Sequence, residues 1–149
     1  AGKKVIIWQF AMRELSIGNW ETMNFDLGQV SDSPQYLSIE EGTVLTTEAT
    51  VADVATIPHP STVTYEDHVV AVHLTDIEGQ PGKEALVYML AMEKRQLLPA
   101  ANIRPGDRIA LTMENWGNHE AVEGAFNRSE LESDITFMAE PVWATLNNK

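Results

Sequence analysis

The stretch HVVAVHLTDIEGQPGKEALVYMLAM, residues 68–92, decides how the chain folds. Val70, Val72 and Leu74 alternate with Ala71, His73 and Thr75, the period of two that a strand requires, so a strand is predicted over His68–Ile77. EGQPGKE then places two glycines and a proline where the chain must reverse, and Ala85–Met92 reads as the returning strand of a hairpin. Upstream, Thr43–Ala55 is dense in Thr and Val, with Leu45, Thr47, Ala49 and Val51 on one face. Val54 falls out of that phase, which predicts a β-bulge near Ala52 and Asp53.

Downstream, Pro99 suits a first helical position, and Leu97–Ile103 predicts one short helix. The turn RPGD leads into Asp107–Trp116, a strand that faces Ile109, Leu111 and Met113 inward and Arg108, Thr112 and Glu114 outward. Ser129 and Glu132 have capping-box spacing, which predicts a helical turn there, followed by a last strand around Ile135–Met138. The order is a bulged strand, a hairpin, a short helix and two more strands. That is the connectivity of a mainly β, OB-like five-stranded Greek-key barrel, with a β-sandwich as the alternative. A further strand, Val5–Phe10, and a loop or short helical turn over Arg13–Trp20 precede it. Asn24–Pro34, rich in Asp, Gly, Ser and Pro, reads as the linker.

The 149 residues suffice for one domain with a proper core. There are 22 acidic and 10 scattered basic residues, a formal charge of −12. Such a surface repels phosphate backbones and anionic bilayers, which disfavours both as partners, so no nucleic acid and no membrane are expected. Anionic polysaccharides meet the same repulsion unless a local basic pocket exists. Runs such as ALVYMLAM are too short to cross a bilayer as a helix. With no cysteine, disulfides, thiolate zinc sites and thiol nucleophiles are absent.

VIIWQFAMRELSIGNW resembles the end of the SGNH-hydrolase-like domain of alginate O-acetyltransferase-related bacterial proteins, through Trp8, Phe10, Arg13, Glu14, Leu15 and Trp20. TVTYEDHVVAVHL, LLPAANIRPGDRIALTMENW and NRSELESD are similar to the β-rich tail that follows that domain. The resemblance implies that residues 1–27 are the remnant strand and turn of a preceding α/β domain, and residues 28–149 an accessory barrel or sandwich. It also implies a periplasmic or exported location. The family's Gly-Asp-Ser nucleophile motif and its Asp-His pair have no counterpart here, so no catalytic residue is carried over.

Other constellations are equally spare. WGNHE, residues 116–120, contains the Gly-Asn-His-Glu of metallophosphoesterases, but Gly106-Asp107 is followed by Arg108-Ile109-Ala110 and no Asp-x-His exists. The partner ligands of a two-metal site are missing, which leaves no metal or cofactor expected. His68 and His73 sit at odd spacing on one strand and point to opposite faces. No serine lies in a Gly-x-Ser-x-Gly elbow. Glu130, Glu132 and Asp134 read as a solvated helix start, and Asn127-Arg128-Ser129 as a sequon that matters only in a eukaryotic secretory setting.

What remains is a loop where Trp116 stands with Asn118, His119 and Glu120 at a strand end. An aromatic face there could stack on a sugar ring while its polar neighbours bind hydroxyls. The competing role for Trp116 is to cap the barrel by packing. The expectation is a non-catalytic accessory domain of a polysaccharide O-acetyltransferase or esterase-like protein, which docks on the preceding catalytic domain of the same polypeptide or binds glycan. The alternatives are a self-standing metal-dependent phosphoesterase and a plain protein-interaction domain.

Overall fold

A computed structural model describes residues 34–147. The expected strand Val5–Phe10, the turn Arg13–Trp20 and most of the linker lie outside these residues. Eight strands follow in order: β1 (Gln35–Tyr36), β2 (Val44–Val54), β3 (His68–Thr75), β4 (Lys83–Glu93), β5 (Gln96–Leu97), β6 (Arg108–Asn115), β7 (Asn127–Ser129) and β8 (Pro141–Leu146). Five of them close on themselves in the order β2-β3-β4-β8-β6, and β6 returns to β2. All neighbours are antiparallel except β4 and β8, which run parallel. This is the OB-like barrel that the strand pattern predicts, and closure leaves none of the five with a free edge along its whole length.

Alternation fills the interior as read. Ala49 and Val51 of β2, Val70, Val72 and Leu74 of β3, Ala85, Val87 and Met89 of β4, and Leu111 and Met113 of β6 are all buried and register with one another. The predicted bulge is present as a register shift between Val51 and Asp53. There the turn after residue 103 docks on β2: Val51 N–H donates to Asp107 O at 2.9 Å and Gly106 N–H to Val51 O at 2.7 Å. Gly106 reaches that position with φ of 95°, where a side chain would be strained.

Three local expectations are corrected. The helix expected over Leu97–Ile103 shrinks to a 3₁₀ turn, Pro99–Asn102, because Gln96–Leu97 is drawn into a hairpin with the end of β4. Ser129 caps no helix; it lies in β7, which pairs in parallel with the start of β3. Ile135–Met138 is a single α-turn rather than a strand, and the last barrel strand is Pro141–Leu146. A strand would send Ile135 and Phe137 to the same face, whereas the α-turn buries Ile135 and leaves Phe137 in solvent.

The two outer faces differ sharply. Across β2, β6 and β8 the outward row Thr46–Thr112–Thr145 is polar, with Thr46 Oγ1 and Thr112 Oγ1 3.2 Å apart. Across β3, β4 and β8 the outward residues Val69, Ala71, Leu86, Tyr88 and Trp143 are apolar or aromatic and buried. The connection from β6 to β8, residues 116–140, covers them: β7 belongs to it, and Leu131, Ile135 and Ala139 join the same core. The barrel therefore carries a second, smaller apolar layer on one side only.

Candidate functional site

Asn115, the last residue of β6, organises the loop beyond it. Its Oδ1 accepts from Gly117 N–H at 2.8 Å and caps the 3₁₀ turn Trp116–Asn118, while its Nδ2 donates to Ile39 O at 2.6 Å. So held, Trp116 meets Tyr88 edge-on at 5.0 Å between ring centroids and tilts against Trp143 at 5.9 Å. His119, just past the turn, stacks on Trp143 at 4.8 Å with an interplanar angle of 18°. Tyr88, Trp116, His119 and Trp143 thus form one aromatic cluster at the edge of the covered face. Trp143 lies within β8 and is buried.

Charged groups surround the cluster. His119 lies between two carboxylates, with Nε2 3.5 Å from Glu114 and Nδ1 3.6 Å from Glu123. The Arg128 guanidinium carbon sits 4.4 Å above the Tyr88 ring centroid and 5.9 Å from that of Trp116, a cation–π arrangement. Tyr88 donates its hydroxyl to Glu130 at 3.1 Å, and Arg128 pairs with the same carboxylate. Burial first, then the Glu130 charge, pushes the Tyr88 phenol up to about 12. Glu130 is therefore tied to the outer face instead of belonging to a solvated helix start.

The four loop residues proposed from sequence remain together, with different exposure. Asn118 and Glu120 project into solvent, whereas Trp116 and His119 are half-buried. The Trp116 side chain both packs and keeps an accessible part. Among the described residues no group of three or more His, Cys, Asp or Glu is arranged to hold a metal ion. Among these residues Asn118 and His119 lack the companions that the phosphoesterase motif requires.

The other histidines separate as their strand parity implies. His73 points outward to Glu84 at 2.7 Å, and His59 bonds Ser61 within its own turn. His68 turns the other way and meets Ser129 of β7, its Nε2 2.8 Å from the hydroxyl oxygen, with Tyr65 stacked on its ring at 5.6 Å. Burial lowers the His68 pKa, and Nδ1 has no partner. Ser129 also lines an open cleft of about 470 Å³ with Asp53, Val54, Thr56, Glu130 and Glu132. Sequence reasoning missed this pair, since its members are 61 residues apart and no motif joins them.

Fold and loop together define an OB-like barrel with an aromatic, carboxylate-fringed rim. No family model, no curated protein and no solved structure matches the chain.

Proposed function

We propose that this chain is a non-catalytic accessory module that holds a weakly charged, hydroxyl-rich polymer, a glycan, on the Trp116–Glu120 loop. In this reading it serves a neighbouring SGNH-like O-acetyltransferase or esterase domain in the bacterial envelope. The observation that carries it is the loop itself: a partly accessible Trp116 propped by Tyr88 and Trp143, beside the exposed amide of Asn118 and carboxylate of Glu120. A rigid aromatic surface costs little entropy to present, and the polar tips supply both donor and acceptor to hydroxyls. The net charge of −12 favours a neutral chain over a polyanion.

Titration of neutral and acidic oligosaccharides against tryptophan fluorescence tests the proposal. A saturable shift with a neutral glycan is expected, weakened about tenfold or more, roughly 1.4 kcal/mol, in Trp116→Ala. Asn118→Ala and Glu120→Ala, which change only exposed side chains, should weaken it less and leave the fold intact. A flat response to every sugar overturns the glycan reading.

A further inference from the structure

The geometry points to Ser129 as an acyl-acceptor site, a serine that is covalently esterified by activated acyl donors of neutral or cationic character, with His68 as the base. This goes beyond the glycan reading and does not rest on it. Among the described residues the hydroxyls of Ser61 and Ser129 each meet an imidazole nitrogen, and of these two Ser129, at 2.8 Å from His68, stands on the wall of an open cleft. A nucleophilic serine needs such an acceptor for its proton. Burial favours the neutral imidazole, which in its Nδ1–H tautomer offers a lone pair at Nε2.

The same surroundings limit the chemistry. His68 Nδ1 has no carboxylate or carbonyl partner, so nothing selects the tautomer in which Nε2 is the acceptor. Only donors with a good leaving group, such as phenyl esters and thioesters, are reactive enough. The cleft walls carry Asp53, Glu130 and Glu132, which disfavour anionic donors. In the step, Oγ bonds to the acyl carbon and its proton passes to Nε2. The bond to the leaving group then breaks, and the leaving group takes that proton away as an alcohol or thiol. With no partner on Nδ1 to strengthen it as a base, His68 does not drive attack of water on the less activated serine ester, and the acyl group stays.

The full chain treated with p-nitrophenyl acetate, followed by intact mass and peptide mapping, tests this. One acetyl group on Ser129 is expected, with about one equivalent of nitrophenol and no continuing release. It should be absent in Ser129→Ala, at least tenfold slower in His68→Gln, and slower with an anionic phenyl hemisuccinate. Adducts confined to lysines, or steady turnover with Ser129 unmodified, overturn the proposal. A fluorophosphonate probe on the wild-type chain needs no variant to fold: an adduct on Ser129 supports the assignment, and its absence refutes it.

Discussion

Burial leaves His68 with one side-chain hydrogen bond, between Nε2 and the Ser129 hydroxyl, and with a pKa below that of a free imidazole. The unfolded chain takes up a proton at about pH 6.5, before the folded one does. Stability should therefore be full above that pH and decline as pH falls through it. Calorimetric melting at pH values from neutral down to about 5 is expected to show this decline, with a shallower slope in His68→Gln. Ser129→Ala strands Nε2 in the interior and should cost about 1–3 kcal/mol in urea unfolding. The opposite sign of charge behaviour sits at Tyr88. Its phenol titrates at about 12, so stability should fall as pH rises above about 10, and Tyr88→Phe should lose that alkaline dependence. At this scale the sequence showed that His68 and His73 point apart, because strand parity is local. It could not show that Ser129 waits for one of them.

Among the described elements, the β4–β5 hairpin places two successive non-glycine residues at positive φ. Its two central residues, Lys94 and Arg95, take φ of 48° and 64°, a left-handed pair that favours Asn-Gly. Arg95 compensates by clamping the loop before β3, its guanidinium donating to Pro60 O at 2.8 Å and Val63 O at 3.0 Å. Lys94→Gly should relieve strain and stabilise the protein by about 1 kcal/mol, whereas Arg95→Ala should destabilise it. Thermal melts of both variants separate backbone strain from the clamp. Leu111 of β6 is fully buried in the barrel, and Leu111→Ala should cost about 2–5 kcal/mol. The long strands were legible because each shows several turns of period-two alternation. Ile135–Met138 was not: four apolar or β-branched residues fit either element, and only the apolar layer outside β3 and β4 selects the α-turn.

For the whole molecule, closure of the barrel uses the apolar side of β2 and β6 once and that of β3, β4 and β8 twice. The second use requires residues 116–140 as a cover, and the face that OB barrels commonly offer to ligands is thereby filled by the chain's own residues. In the glycan reading proposed above, binding falls to the rim, where Trp116, Asn118, His119 and Glu120 lie. Across this surface the net charge of −12 works against compactness, so raising salt from about 0.05 to 0.5 M should raise the melting temperature by several degrees. A flat salt response would mean that the acidic groups are locally compensated. Alternation by itself determined the long strands β2, β3, β4 and β6, the bulge in β2 and the barrel class, because these depend on neighbours two residues apart. Tertiary structure alone decided which aromatics became floor and which rim, that Glu130 serves Tyr88, and that Ser129 meets His68. Those outcomes follow from the parallel pairing of β7 with β3, a contact between distant segments that no local period encodes.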